Sequence, residues 1–410
     1  MTLEVAATTA AREARAPFID GMGAFPLAAR VAGMSASKTM AVSALAEQLR
    51  RAGADVIDLG AGEPDFPTPK NIRRAAAVAM ENGHTKYTAA AGTAALKLAI
   101  SERVAADFGT QYAPAQVLAA AGAKQVIFNA IATLIEPGDD VLVVKPYWVT
   151  FPEAVTFAGG RTVWVETEDQ DFQLTAEAVE RALTPRAKLL LINSPSNPSG
   201  LVMPPDEFEH VVALAVSRGL WVISDECYCQ FVYDPVRPHS ATQLPETLRR
   251  RVLVAGSLSK TYAMTGWRIG YALGPHDWIK AMTCVQSHST SNPTSISQQA
   301  AIEALTGSQD SVAQMLQAYG ERRDWLIPAL NALPGVTCAL PEGAFYAFPC
   351  VKGTGMTSEK LTTRLLEEAH VAVTPGDAFG APGYLRLSYA TSLEKLQAGV
   401  ERIKGVLAGI

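Results

Sequence analysis

From about residue 115 to residue 274 the chain alternates short apolar, β-branched runs with amphipathic helical stretches, and this constrains the fold more than any other feature. The runs are Val141–Val144, Arg161–Val165, Lys188–Asn193, Leu220–Asp225, Arg251–Ala255 and Arg268–Leu273. Between them the spacing predicts helices over Lys124–Ile135, Glu177–Leu183 and Asp206–Arg218, with Pro137-Gly138-Asp139 stopping the first. Parallel strands need a long crossover, and a helix provides one, so the pattern predicts βαβ units around a mostly parallel α/β sheet. Ligands of such sheets bind beyond the C-terminal ends of the strands.

Past about residue 300 the texture changes. A long helix is predicted over Ser311–Leu333, short strands near Thr337–Ala339, Phe345–Phe348 and Tyr384–Ser388, and helices over Ser358–Ala369 and Ser392–Leu407. That predicts a smaller α+β domain. With 410 residues, 48% hydrophobic and 18% charged, the chain can build more than one core and falls outside disordered compositions. No apolar run approaches the ~20 residues a membrane helix needs. A net charge of -5 gives nucleic acid no overall electrostatic pull, and Arg249-Arg250-Arg251 reads best as a solvated helix end. Five cysteines without a C-x-x-C pair, and six scattered histidines, argue against a metal site and for a reduced, cytoplasmic protein. The stretch to Pro26 lacks the basic and apolar regions of a signal peptide and is expected to be an arm.

Four segments at predicted strand ends or helix starts could carry chemistry. In Ser257-Leu258-Ser259-Lys260, followed by Thr261 to Arg268, a lysine leaves an apolar strand among small and hydroxylic residues. Its amine could condense with a carbonyl, while the serines and arginine hold a phosphate. In Val222 to Tyr228, Asp225 ends a strand and a tyrosine follows three residues on. A carboxylate so placed suits an electron-sink cofactor, and it equally reads as a helix cap beside a packed tyrosine. Asn193-Ser194-Pro195-Ser196-Asn197-Pro198-Ser199-Gly200 is a rigid turn that presents Asn197, or an ordinary Asx turn. Ala120-Ala121-Gly122-Ala123-Lys124-Gln125 opens a helix with small residues, which lets an anion approach backbone N–H groups.

In order, these segments resemble the fold-type I pyridoxal-phosphate aminotransferases, specifically the bacterial Iβ subgroup of aspartate aminotransferases. The likeness also rests on Ala61-Gly62-Glu63-Pro64-Asp65-Phe66, Lys86-Tyr87-Thr88, Pro146-Tyr147-Trp148 and Tyr384-Leu385-Arg386-Leu387-Ser388-Tyr389-Ala390. It runs from about Val42 to the C-terminus. It implies a large domain with a mostly parallel seven-stranded sheet between helices, plus the smaller domain. The expected divisions are an arm over 1–30, a segment over 31–60 packing on the small domain, a large cofactor domain over 61–305 and a small domain over 306–410.

The resemblance further implies pyridoxal 5'-phosphate as cofactor and a homodimer with shared active sites. Lys260 would be the Schiff-base lysine and proton carrier, Asp225 the partner of the pyridine nitrogen, and Tyr228 and Asn197 partners of the ring oxygen. Trp148 would stack on the ring. Ser257, Arg268 and the start of the Gly122-Ala123-Lys124 helix would hold the phosphate, with Tyr87 reaching over from the other subunit. Arg386 would take the α-carboxylate beside Gly62, and Lys124 and Thr39 the distal carboxylate, with Ser289 and Asn292 lining the partner's pocket. L-aspartate, L-glutamate and their 2-oxo acids are therefore expected, with prephenate as an alternative acceptor. The chain departs from the subgroup at Cys227 and Cys229, at Ala123 and at His288. A carbon–sulfur β-lyase on the same fold is the competing enzyme. A cofactor-sensing regulator would carry a DNA-binding module ahead of the domain that starts near residue 40, and none is expected here.

Overall fold

The computed structural model describes residues 26–35 and 38–409, without the side chains of residues 38–43. β1 (Ile57–Asp58) stands apart from the main sheet. That sheet has seven strands: β2 (Val117–Ala120), β3 (Asp140–Val144), β4 (Arg161–Val165), β5 (Ala187–Asn193), β6 (Trp221–Asp225), β7 (Val252–Ser257) and β8 (Gly270–Leu273). Their order is β2-β8-β7-β6-β5-β3-β4. All neighbours run parallel except β8, which is antiparallel to both β2 and β7. The alternation in sequence thus becomes the α/β sheet it predicts. β2 supplies a strand not named from sequence, because Val-Leu-Ala-Ala carries only one β-branched residue.

Successive residues point to opposite faces, and both faces are covered. On β5, Leu189 and Leu191 join a core with Val126, Ile127 and Ile131 of helix Ala123–Leu134 and Ile279 and Met282 of helix His276–Ser289. Leu190 and Ile192 join the opposite core, with Val211 and Val212 of helix Pro205–Ser217 and Leu96 and Ile100 of helix Ala94–Phe108. The interior strands are apolar on both sides for this reason.

The C-terminal part adds β9 (Tyr346–Ala347), β10 (Val371–Ala372), β11 (Thr374–Pro375) and β12 (Leu385–Ser388). β11-β12-β9 form an antiparallel sheet, while β10 pairs parallel with β1. Helices Asp310–Asn331, Ser358–Ala369 and Leu393–Leu407 belong to this layer and bury Leu326, Leu361 and Ile403. The strand predicted near Thr337 is only a bridge between Thr337 and Cys350. At the other end of the described chain, residues 29–35 lie against helix Thr150–Ala158, with the Ser35 N–H donating to Glu153 at 3.0 Å and Arg30 over Phe157.

One tie between the layers matters for the site. The Ser388 N–H donates to the Leu59 carbonyl at 2.6 Å, so the segment through Gly60 and Gly62 runs beside β12. Among the described residues no helix is long and apolar enough to cross a membrane.

Candidate active site

The C-terminal ends of β5 and β6, the helix after β7 and the edge of β12 converge on a cavity of about 310 Å³. Asp225 is the last residue of β6 and is 3% exposed. Its carboxylate accepts from the Cys227 N–H at 3.2 Å and from the Cys227 thiol. Burial outweighs these donors and pushes its pKa up to about 6. Lys260 sits on the short helix Leu258–Thr261 and donates to the Gly62 carbonyl at 2.5 Å. Burial lowers its amine to about 8, and the charges of Arg386 and Arg268 act in the same direction. A lysine lowered this far reaches its neutral form, the one that acts as nucleophile or base, much more readily than a solvated one.

Arg386 comes from β12 and is 5% exposed. It donates to Asn197 Oδ1 at 2.9 Å and to the Gly60 carbonyl at 2.7 Å, while its Nε has no partner among the described residues. A buried guanidinium held by neutral oxygens alone is suited to take a carboxylate. Asn197 is set from behind by its own N–H, which donates to Asn193 Oδ1 at 2.8 Å. Asn193 also donates to the Asp225 carbonyl at 3.0 Å, tying the two strand ends together. Trp148 forms another wall, with Tyr228, Tyr346 and Phe379.

A second feature lies alongside. Helix Ala123–Leu134 opens with Gly122 at φ 88° and no side-chain cap. Arg268 reaches the same point: a Cβ on Gly122 would lie 2.7 Å from its Nη2. Gly270 has no room for a Cβ either, since one would stand 2.6 Å from the Ala123 nitrogen. Ser257, on the neighbouring strand end, accepts the Ser259 N–H at 3.1 Å. Uncapped helix amides beside a guanidinium make an anion cradle.

Lys124 points its ammonium at the face of Trp148, 5.0 Å from the ring centroid. Partial desolvation, then Arg268, lower its pKa. Tyr87, at 91% exposed, stands outside the cavity of the single chain. Ser289 and Asn292 are likewise outside it, bonded to the Gln286 and Pro293 carbonyls. Thr39 is in helix Lys38–Arg51, and its side chain lies outside the described residues. The cavity also holds Tyr346 and Phe379, which the sequence does not single out, and Asn193, whose turn it does but without a role for that residue.

Residues 54–403 match the family described as aminotransferase class I and II. The chain belongs to this family. Its relatives include an aspartate aminotransferase of Geobacillus stearothermophilus, 46% identical over 92% of this chain and 98% of the relative. An aspartate/prephenate aminotransferase of Cereibacter sphaeroides is 44% identical over 93% and 98%. Among solved structures, the aspartate aminotransferase from Thermus thermophilus with maleate superposes with a TM-score of 0.89, at 42% identity, over 93% of this chain and 100% of that one. This aminotransferase therefore has the fold-type I architecture that its seven-stranded sheet displays, and it is a transaminase.

Proposed function

We propose that this aminotransferase uses pyridoxal 5'-phosphate to move the amino group of L-aspartate or L-glutamate to a 2-oxo acid in two half-reactions. The single observation that carries the reading is the convergence, on one cavity, of a buried Asp225 with no guanidinium to pair it, a Lys260 whose amine is lowered to about 8 and an Arg386 held only by neutral oxygens. The residues fit the cofactor. The cradle at Gly122, Ala123, Lys124, Ser257 and Arg268 suits its phosphate, Tyr228 and Asn197 its ring oxygen, and Trp148 its face. A cationic ring nitrogen would give the Asp225 carboxylate the partner it lacks. When bound, the cofactor supplies a ring that takes up the electrons released at the substrate carbon.

The chain's own residues do the rest. Arg386, with Asn197 and the Gly60–Gly62 backbone, fixes the α-carboxylate and so sets which bond at the α-carbon faces Lys260. Lys260 takes the α-proton on Nζ and returns it to the other side of the exchange. Lys124, at the mouth beside Trp148, meets the distal carboxylate, with Thr39 as its companion. Maleate, the compound named with the Thermus enzyme, is a dicarboxylate and supports this choice, while the Cereibacter relative's name supports prephenate as a further acceptor.

The reading includes a homodimer in which Tyr87 reaches the partner's phosphate site and Ser289 and Asn292 line the partner's pocket. Exposed Val78, Met80 and Leu98, along with Tyr87, support it. It also places the protein in the cytoplasm, consistent with five unpaired cysteines. The packing of the 31–60 segment on the small domain draws support from the pairing of β1 with β10, although Ser35 bonds instead to Glu153 of the large domain.

The deciding experiment adds L-aspartate alone to the cofactor-loaded enzyme. The visible band should shift with release of one equivalent of oxaloacetate, and 2-oxoglutarate should restore it. A band that aspartate leaves unmoved rejects the substrate; release of pyruvate and ammonia from a cysteine conjugate would favour a lyase.

A further inference from the structure

The hydroxyls of Tyr228 and Tyr346 lie 2.8 Å apart, and both side chains are buried. They come from different layers. Tyr228 follows β6, whereas Tyr346 is on β9 and pairs in register with Ser388 on the strand of Arg386. The Arg386 guanidinium lies 4.6 Å from the centroid of the Tyr346 ring. Gly62 closes on the same hydroxyl: a Cβ there would stand 3.1 Å from it. Besides Arg386, Cys227 is the charged or titratable group coupled to both phenols, and Asp225 and Lys260 line the same cavity.

Burial pushes both phenols above their ordinary value, so each keeps its proton. Two protons on two oxygens allow two arrangements. If Tyr228 donates to Tyr346, its only proton is spent inside the pair. If Tyr346 donates to Tyr228, the Tyr228 proton is free to point into the cavity. An oxyanion beside Tyr228 selects the second arrangement, which also polarises both bonds in series. The cation over the Tyr346 ring makes that hydroxyl the better donor.

We propose that Tyr346 is a positioning residue, whose hydroxyl donates to Tyr228 and thereby commits the Tyr228 proton to the cofactor's ring oxygen. The inference rests on the cofactor reading above. Without the Tyr346 hydroxyl, Tyr228 becomes a weaker donor, the ring oxyanion is held less well, and the cofactor keeps a proton to higher pH.

The test is a spectrophotometric pH titration of the visible band of the cofactor-loaded enzyme, without substrate. Y346F should raise the midpoint by about 0.5–1 pH unit, the size of one ordinary hydrogen bond. In a Y228F background the same change should add nothing, because Tyr346 acts through Tyr228. An unmoved midpoint in Y346F, or an equal shift in the presence and absence of Tyr228, overturns the proposal. If Y346F fails to fold, 3-fluorotyrosine at position 346, nearly the same size and a stronger donor, should lower the midpoint instead; no shift there is equally fatal. A wild-type protein that shows no visible band after loading would bring down the cofactor reading itself, and this inference with it.

Discussion

Two aspartates occupy opposite ends of the main sheet, and their surroundings differ in kind. Asp140 opens β3 and is 0% exposed. Arg161 grips it with two hydrogen bonds at 2.7 and 2.6 Å, and Thr184 adds a third at 2.6 Å. The Arg161 bonds hold its carboxyl below the usual range, against the cost of burial. Asp225 ends β6 and is likewise closed to solvent, yet it lies deep in the protein and has the Cys227 amide and thiol where Asp140 has a guanidinium, and its pKa goes up instead of down. Asp140 sits just beneath the exposed Arg161, so two things separate them: Asp225 carries the larger desolvation cost, and the chain supplies it no paired countercharge. A carboxylate completed by its own protein serves stability, and one left incomplete is waiting for something from outside.

The sharpest way to break this contrast is at the centre of the cavity. Lys260→Ala should reduce transamination by about 10⁴-fold, since it removes the amine proposed to carry the proton. Activity of that variant within an order of magnitude of wild type would detach the site from the chemistry. Asp225→Asn should cost about 10²–10³-fold in kcat, from the lost charge opposite the ring. Stripped of cofactor, that same variant should gain about 2–3 kcal/mol of stability at pH 7.5 in urea unfolding, because an unpaired buried charge is gone.

The sign follows from the raised pKa. Folded Asp225 holds its proton up to about pH 6 while the unfolded chain releases it near 4, so the stability of the empty protein falls as pH rises through that window. Glu226, raised by burial to about 7, extends the decline from above pH 4.5. Urea midpoints measured from pH 4.5 to 7.5 should therefore slope less in Asp225→Asn, and added cofactor should offset the loss in wild type. Equal slopes would remove the premise that Asp225 lacks a partner.

Arg386 extends the comparison to a buried cation. Arg386→Lys should raise KM for aspartate and alanine alike, by about 10–100-fold, for want of the bidentate fork. Lys124→Ala should raise KM about 10-fold for dicarboxylates only. A matching loss for alanine would move Lys124 out of the distal pocket. The smallest effect belongs to the other end of the sheet. Asp140→Asn should lower stability by about 1–3 kcal/mol at pH 7.5 and leave kcat as it was. Because the native carboxyl is held low, the wild-type advantage should vanish as pH falls below the ordinary carboxylate range.

The contrast also marks where sequence reading reaches its limit. Strands β3 and β5 to β7 were legible because each is an apolar run covered on both faces, β4 at the sheet edge showed in its β-branched Thr-Val-Trp-Val, and the ends of β6 and β7 located Asp225 and Lys260. The strand expected to begin at Arg268 begins at Gly270, because Arg268 takes a left-handed turn at φ 51° to reach the helix start at Gly122. Nothing in its run tells that β8 is antiparallel. Tyr346 sits in Phe345-Tyr346-Ala347-Phe348, which reads as ordinary strand core. Its hydroxyl matters only because β9 delivers it to a residue far away in the chain. Tyr87 and Thr39 were reached through the resemblance, and nothing local to either residue gives a role.

The reversed strand has a consequence in time as well as in space. β2 bonds to the main sheet only through β8. On the ribosome, then, β3 to β7 can assemble with helix Ala123–Leu134 seated on one face while Val117–Ala120 still lacks a partner strand. The phosphate cradle, with one side on that helix and the other at Arg268, closes only when Gly270–Leu273 has left the exit tunnel. A nascent chain stopped short of that strand can own Asp225 and Lys260 and still be unable to grip a phosphate.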